Sequence, residues 1–456
     1  MIRRAVPALL AGSLSFACSK SNPTDAVSSA APVSQPSPPK AEVSVSPPST
    51  SAEAKPAAKL PSGLNVLLIT IDSLRADMPW NGYSRPIAPN LTKLAERSVS
   101  YTNAYSASSY TAKSVAAFLS GRYPSTLYRD GYFFAKYPAS DTFLAELLAP
   151  RGVRTIGFHA HLYFGKGKGL EQGFDEWRLV PGITFDPETD NFVTSDKMTA
   201  LAIELPSNPK NTEHQFFAWG HYMDPHDQYQ KHKESPDFGS KGRDKYDSEV
   251  WFSDYWVAKL LEWAENKPWW KNTVLIVSAD HGEAFGEHGM YKHAFEVWEV
   301  LTRVPLIIAG PGFSPRRIEQ RRSHIDLAPT ILELMGQPIP PDMQGKSLVP
   351  ELLGGQPESR EPILVELTED SHNPYRRGLI SGDYKIIDFG RSKYELYDLS
   401  HDPGELHDLS KERKDELERM QKLLEEKVRT LPVVEPYGGA KLKSGATARG
   451  PVGPGK

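Results

Sequence analysis

The chain has 456 residues, of which 39% are hydrophobic, 10% aromatic and 24% charged, and its formal net charge is −4. This composition is that of a globular protein, and the length allows one large α/β domain with an appendage, or two to three domains. The weakly acidic balance excludes the basic surface that nucleic-acid binding requires, so we expect no nucleic-acid partner.

Residues 1–18 have the pattern of an export signal. Arg3 and Arg4 precede a short apolar stretch that is too short to span a bilayer. Cys18 is the only cysteine of the chain, so no internal disulfide is possible. Its position after small and apolar residues resembles a bacterial lipobox. We therefore predict a lipoprotein that is exported and anchored through Cys18 to a membrane of a bacterial cell envelope, with simple secretion as the alternative.

The chain then divides by composition. Residues 19–62 are rich in Ser, Pro and Ala and predict a disordered tether. Residues 63–360 predict a large α/β domain, 361–436 a small C-terminal subdomain, and 437–456 a flexible tail.

Apolar runs at 65–71, 155–158, 216–219 and 273–278 predict strands that are buried on both faces. Helical patterns lie between them, at 89–98 and 248–265. This alternation predicts a large mixed, mostly parallel sheet flanked by helices. From about residue 364, short strands at 378–380 and 385–388 and a charged helix at 411–431 predict an α+β subdomain.

Acidic residues follow two of the predicted strands directly. Asp72 comes after the first, and Asp280 and His281 come after the last. Ligands of parallel sheets bind at the carboxyl ends of the strands. Either aspartate could instead cap a helix, but two such ends in one sheet favour a metal site, and carboxylates with one imidazole suit Ca²⁺, Mg²⁺, Mn²⁺ or Zn²⁺.

The strings around these residues resemble the sulfatases of the alkaline-phosphatase superfamily. Residues 65–77 resemble the family's opening strand, and 278–289, with Asp280-His281-Gly282-Glu283, resemble its second metal-binding strand. Further matching segments follow in the family's order at 303–306, 324–330, 344–348 and 395–399. The resemblance implies an alkaline-phosphatase/sulfatase-like sandwich and one divalent metal ion held by Asp72, Thr111, Asp280 and His281.

Thr111 stands in the family's nucleophile position. That position lies ten residues before the glycine of a Leu-(Thr/Ser)-Gly-Arg segment, here Gly121, and a bacterial subgroup carries threonine there. Lys113 and Val115 replace the family's usual proline and basic residue, so Lys113 is a candidate for supplying the positive charge. A threonine has only one hydroxyl, so a sulfate or phosphate group bound to it cannot be expelled by elimination from a second hydroxyl. Water must break this ester instead.

The resemblance also assigns roles to several basic residues. His226 is the expected general acid, with His221 a weaker candidate. Lys292 and His293 match the family's late basic contact to the ester oxygens. His161, in preference to His159, matches another such contact.

We therefore expect a metal-dependent hydrolase that cleaves sulfuric or phosphoric esters through a covalent Thr111 intermediate. A phosphotransferase or phosphodiesterase of the same superfamily, or an inactive surface-binding protein, remains the alternative. The substrate is expected to be a small-molecule, glycan or lipid ester, with specificity in the loops 165–193 and 230–245. The oligomeric state is not predicted.

Overall fold

The computed structural model describes residues 60–183 and 193–449. The predicted signal peptide and all but the last three residues of the predicted tether lie outside the described residues. No helix within the described ranges is long and apolar enough to cross a membrane. All described residues belong to one unit, Pro56–Lys456.

The strands are, in chain order, β1 (Asn65–Ile71), β2 (Val99–Tyr105), β3 (Arg154–His159), β4 (Glu176–Leu179), β5 (Phe216–Tyr222), β6 (Thr273–Ala279), β7 (Ala284–Phe285), β8 (Tyr291–Lys292), β9 (Arg303–Ala309), β10 (Arg316–Ile318), β11 (Arg322–Ser323), β12 (Ile363–Leu367), β13 (Arg376–Ser381), β14 (Tyr384–Asp388) and β15 (Tyr394–Asp398). The α-helices are α1 (Pro89–Glu96), α2 (Thr111–Ser120), α3 (Leu144–Leu148), α4 (Ser195–Ser207), α5 (Gly242–Ala264), α6 (Glu299–Thr302), α7 (Leu327–Leu334), α8 (Val349–Leu352) and α9 (Lys414–Arg429).

The central sheet has nine strands in the order β10-β2-β9-β6-β1-β5-β3-β4, with β11 also paired to β2. Strand β1 pairs in parallel with β5 and β6, and β3 pairs in parallel with β5 and β4. Within this described sheet only β9 runs antiparallel to its neighbours, β2 and β6. The predicted mixed, mostly parallel sheet is confirmed. Because β9 runs antiparallel to both β6 and β2, strand β2 runs in the same direction as β6. It therefore ends at the same edge of the sheet as β1 and β6.

The middle of the sheet is covered on both faces. Every residue of β1, β5 and β6 is buried. Strands of this kind need apolar side chains at consecutive positions, which is why their sequences lack polar alternation. The polar residues of the predicted metal site therefore stand immediately beyond the strand ends.

The C-terminal part is an antiparallel sheet in the order β12-β13-β14-β15. Helix α9 packs on it through Met420 and Leu424, which share a buried cluster with Leu364, Ile386 and Leu396. This arrangement confirms the predicted α+β subdomain.

Residues 437–449, which belong to the predicted flexible tail, pack against the chain around Gly131. Tyr437 accepts a hydrogen bond from the Gly131 amide and donates one to the Arg129 carbonyl, at 3.1 and 3.0 Å. Ala440, Leu442 and Ala448 are buried together against Gly131, where a Cβ atom would lie only 2.8 Å from that of Ala448. These three small or apolar residues hold the Gly- and Lys-rich stretch in place, because Gly131 has no side chain and lets them pack closely against its backbone.

Candidate active site

Thr111 begins α2, six residues after the end of β2, and so lies at the edge of the sheet where β1 and β6 end. Its Oγ1 is 2.9 Å from His281 Nε2, and the residue is 2% exposed. His281 Nδ1 is 2.9 Å from the Gly282 carbonyl oxygen and must donate its proton there. In its neutral form the ring then presents the Nε2 lone pair toward the Thr111 hydroxyl. The structure thus brings these two sequence-predicted residues together.

Asp72 and Asp280 lie beside this pair. Asp280 Oδ1 accepts hydrogen bonds from the backbone amides of Ser73 and His281, at 3.2 and 2.9 Å. Its Oδ2 is buried, has no hydrogen-bond partner among the described residues, and lies 3.4 Å from His281 Nε2. One ligand atom each of Asp72, Asp280 and His281 lies within 4.8 Å of the others. An orphaned carboxylate oxygen facing a second carboxylate and an imidazole lone pair fits a divalent cation.

The electrostatics of the two aspartates support this fit. Burial raises the pKa of Asp280, and the neighbouring charge of Asp72 raises it further. Burial also acts to raise the pKa of Asp72, but the charge of His226 and the hydrogen bond from His221 hold it well below the usual range. Two adjacent buried carboxylates repel each other, so a cation bound between them would stabilise both. Oxygen and imidazole donors suit several divalent ions, and this donor set does not choose among them.

His221 contacts a candidate metal ligand in a way that the sequence did not predict. It is fully buried, its Nε2 is 3.1 Å from Asp72 Oδ2, and its Nδ1 is 2.8 Å from Thr70 Oγ1. A ring held between these two groups orients the aspartate and is closed off from any substrate. Thr70 and His221 are register partners on the adjacent strands β1 and β5. Pairing those two strands at the sequence level would have revealed the contact.

The more open side of the site is lined by the predicted histidines His161, His226 and His293. Ligand atoms of Asp72, His161 and His226 also lie within 4.8 Å of one another, so two candidate groups share Asp72. The His226 ring centre is 4.8 Å from that of His293, which in turn stacks on His281 at 4.4 Å. His159, the rejected alternative, is buried and bonded through Nδ1 to the His161 carbonyl at 3.0 Å.

Glu283 is a second residue that sequence analysis did not assign. Its carboxylate lies 3.2 Å from His293 Nδ1 and is fully buried. Burial raises the pKa of Glu283 to about 7, and burial lowers the pKa of His293 well below its usual range. The pair fixes the ring of His293 with its other nitrogen turned away from the carboxylate.

The two predicted lysines are both held by carboxylates. Lys292 Nζ is 2.6 Å from Asp227 Oδ2, next to His226. Lys113 Nζ is 2.5 Å from Asp370 Oδ2 and donates to the Thr368 carbonyl at 2.6 Å. This ion pair gives Lys113 a structural role that the sequence did not predict. Contacts of either lysine with ester oxygens stay predictions.

Ser109 lies two residues before Thr111 and carries another hydroxyl that could compete with it. Its Oγ donates to the Glu296 carbonyl at 2.5 Å, and the residue is fully buried. This bond directs the hydroxyl away from His281. Among these two hydroxyls, only that of Thr111 meets the cluster of candidate metal ligands.

Comparisons with known proteins agree with this geometry. The sequence model of the sulfatase family matches residues 64–337, and one described as N-sulphoglucosamine sulphohydrolase, C-terminal, matches residues 286–433. The choline-sulfatase of Rhizobium meliloti (strain 1021) is 23% identical over 415 residues, covering 74% of this chain and 80% of that protein.

Solved structures of similar proteins share the fold. A putative sulfatase from Bacteroides thetaiotaomicron VPI-5482 has a TM-score of 0.69 at 22% identity, covering 82% of this chain and 95% of its own. A phosphonate monoester hydrolase from Silicibacter pomeroyi has a TM-score of 0.65 at 21% identity, covering 81% and 96%. With the family model matching more than half of its length, this chain belongs to the sulfatase family and is a sulfatase-like ester hydrolase.

Proposed function

We propose that this protein is a metal-dependent sulfatase that hydrolyses sulfate esters through a covalent intermediate on Thr111. The observation that carries the proposal is the 2.9 Å contact between Thr111 Oγ1 and His281 Nε2, inside the cluster that contains Asp72 and Asp280. Membership of the sulfatase family favours sulfur as the reacting centre.

The site would hold one divalent ion through Asp72, Asp280, His281 and the hydroxyl of Thr111. Such an ion, when bound, lowers the pKa of a coordinated hydroxyl and neutralises charge on the ester oxygens. His221 and Ser73 keep the carboxylates in place, since His221 Nε2 contacts Asp72 Oδ2 and the Ser73 hydroxyl donates to Asp72 Oδ1 at 2.8 Å.

In the first half-reaction the Thr111 hydroxyl releases its proton to solvent, Oγ1 attacks the sulfur, and the bond between sulfur and the alcohol oxygen breaks. His226 gives its proton to the departing oxygen, so the alcohol leaves neutral and Thr111 carries the sulfate. His226 Nδ1 is 2.8 Å from the Asp227 carbonyl oxygen, which orients the ring for this transfer. In the second half-reaction water attacks the same sulfur and the bond between sulfur and the threonyl oxygen breaks. The two protons of the water pass to the threonyl oxygen and to His226, and sulfate is released.

The proposal is tested by replacing the two competing hydroxyls separately. We expect Thr111→Ala to lower kcat at least about 1,000-fold, because the covalent route is lost. Ser109→Ala removes only the bond to the Glu296 carbonyl and should keep most activity. Intact-mass analysis of a stalled wild-type reaction should find a sulfate-sized adduct on the peptide that bears Thr111. An adduct on Ser109, or a fully active Thr111→Ala variant, would overturn the assignment.

Metal dependence is tested by the metal content of purified variants. Asp280→Asn should lose most of the bound divalent ion and of the activity. Asp224→Asn is the matched control, because Asp224 is also buried just beyond a strand end but accepts bonds from the amides of Thr194 and Ser195 instead. Equal metal content in both variants would contradict the proposed site.

Phosphoric esters form the second candidate substrate class. A threonyl ester broken by water suits phosphorus at least as well as sulfur, and the fold is shared with a phosphonate monoester hydrolase. Turnover of paired sulfate and phosphate esters of one alcohol, measured with Ca²⁺, Mg²⁺, Mn²⁺ and Zn²⁺, separates the two classes. The comparisons do not favour a phosphotransferase or an inactive binding protein.

A further inference from the structure

An aromatic wall borders the candidate active site. It consists of Tyr110, Phe133, Phe134 and Tyr163, whose successive ring centres are 4.4, 5.2 and 5.3 Å apart. Tyr110 directly precedes Thr111, and the Tyr163 amide donates to His161 Nδ1 at 3.1 Å. The wall therefore runs from the nucleophile to one of the site histidines.

The two phenylalanines of the wall are half-buried, whereas both tyrosines are 5% exposed. Phe133 is fixed in place, because its amide donates to Ser371 Oγ at 3.0 Å and its ring lies 5.0 Å from that of His372. A partly open, rigid aromatic face beside a reacting centre is suited to stack on a flat or ring-shaped group.

The wall also offers a free polar group. The hydroxyl of Tyr110 makes no hydrogen bond to any described residue, although Tyr110 is nearly buried. The hydroxyl of Tyr163, by contrast, donates to the Ala135 carbonyl at 2.5 Å. The hydroxyl oxygen is not among the buried polar atoms that lack a partner, so it reaches the surface and is available to a bound substrate.

A positive charge stands at the far end of the wall. Lys168 Nζ is 5.8 Å from the centre of the Tyr163 ring. None of its contacts in the described parts of the chain is an ion pair with a carboxylate, whereas Lys113 and Lys292 are each paired. A second anionic group on the substrate could therefore meet Lys168. A quaternary ammonium group, which aromatic sites can also bind, would be repelled by the same lysine.

We propose that the aromatic wall is the subsite for the alcohol part of the substrate and binds the sugar ring of an anionic glycan ester. The apolar face of the ring stacks on Phe133, a ring hydroxyl bonds to the Tyr110 hydroxyl, and a further carboxylate or sulfate pairs with Lys168. This inference rests on the proposed function and names the substrate class of the same site.

The test compares four esters: methyl sulfate, choline sulfate, glucose 6-sulfate and the chondroitin 6-sulfate disaccharide, which adds a carboxylate. Wild type should prefer the two sugar esters over the other two. Phe133→Ala should lower kcat/KM for both sugar esters roughly tenfold, because the stacking face is lost, and leave methyl sulfate unchanged. Lys168→Met should lower kcat/KM about fivefold for the disaccharide alone.

Two control variants carry equivalent changes away from the wall. Tyr255→Ala removes an exposed aromatic ring on α5, and Lys271→Met removes an exposed lysine next to the start of β6, at the opposite edge of the sheet. Neither should alter the preference among the four esters. Phe133→Leu, which keeps apolar volume but removes the flat face, replaces Phe133→Ala if the alanine variant does not fold.

The binding step is measured separately in the Thr111→Ala protein by calorimetric titration with the disaccharide. Adding Phe133→Ala or Lys168→Met to it should weaken binding by the same factors. Choline sulfate as the preferred ester, or an equal loss toward methyl sulfate, would overturn the inference while leaving the proposed function intact. Wild-type protein inactive toward all four sulfate esters would overturn both.

Discussion

Lys113 and Asp370 form an ion pair in which Nζ lies 2.5 Å from Oδ2 and neither side chain is more than 2% exposed. Lys113 is the third residue of α2, the helix that Thr111 begins, and Asp370 follows β12 of the C-terminal sheet. Burial lowers the pKa of Lys113 against the opposing effect of Asp370. The ion pair therefore connects α2, which carries the candidate nucleophile, to the C-terminal subdomain.

We expect Lys113→Met to lower the free energy of unfolding by about 3–5 kcal/mol, because it leaves the buried Asp370 charge without its ammonium partner. Urea denaturation followed by tryptophan fluorescence measures this loss. The double variant Lys113→Met/Asp370→Asn should recover part of it, since no uncompensated charge then remains.

The matched control for this prediction is Lys259→Met, which breaks the exposed pair of Lys259 with Glu262. Exposed pairs contribute little, so that variant should unfold at the wild-type urea concentration. If Lys113→Met behaves in the same way, the ion pair does not stabilise the fold.

A second prediction concerns the buried partner of Asp72. We expect His221→Gln to weaken divalent-metal affinity about 10- to 100-fold, because the residue that orients a ligand is lost while every ligand remains. His159→Gln is the control, since His159 is equally buried and pairs in register with His221 on β3, but does not contact Asp72. Metal titration measures the divalent-metal affinity of both variants. Equal affinities would exclude an orienting role for His221.

The amino-acid sequence predicts those parts of the structure that depend on a local pattern. The apolar run 65–71 coincides with β1, and the residues directly after β1 and β6 are the clustered Asp72, Asp280 and His281. Buried parallel strands need continuous apolar sequence, and their ends share one edge, so a linear reading locates the site.

Contacts between residues that are far apart in the sequence could not be predicted from local patterns. Lys113 and Asp370 are 257 positions apart, and no local pattern indicates that one will neutralise the other. The local sequence of His221 resembles a family segment and makes it a candidate proton donor, whereas its contact with Asp72 depends on the pairing of β1 with β5. The residues of 437–449 pack because of the bare surface at Gly131, which their own sequence does not reveal.

The export signal remains a prediction from the sequence, and we propose that Cys18 carries a lipid anchor in the bacterial cell envelope. Cys18→Ser should move the protein from the membrane fraction to the soluble fraction of lysed cells, because one thiol is the acceptor for the acyl chain. Immunoblots of both fractions, with Ser19→Ala as the neighbouring control, measure the shift. A wild-type protein already in the soluble fraction would indicate simple secretion.

The last prediction concerns pH and a second buried charge cluster. Lys385 Nζ is shared by two carboxylates, at 3.0 Å from Glu299 Oε1 and 2.8 Å from Glu405 Oε1. Burial and the neighbouring Glu299 raise the pKa of Glu405 to about 7. The pKa of a glutamate in the unfolded chain is about 4.3. Between about pH 4.5 and 7, the folded state therefore holds a proton that the unfolded state has lost. The free energy of unfolding must then fall as pH rises through this window.

Glu405→Gln cannot ionise, so its stability relative to wild type should improve by about 1–3 kcal/mol between pH 5 and pH 8. Urea denaturation at both pH values measures this difference, and the exposed Glu418→Gln variant should show none. Parallel pH dependences in wild type and Glu405→Gln would mean that Glu405 keeps the same charge throughout this range.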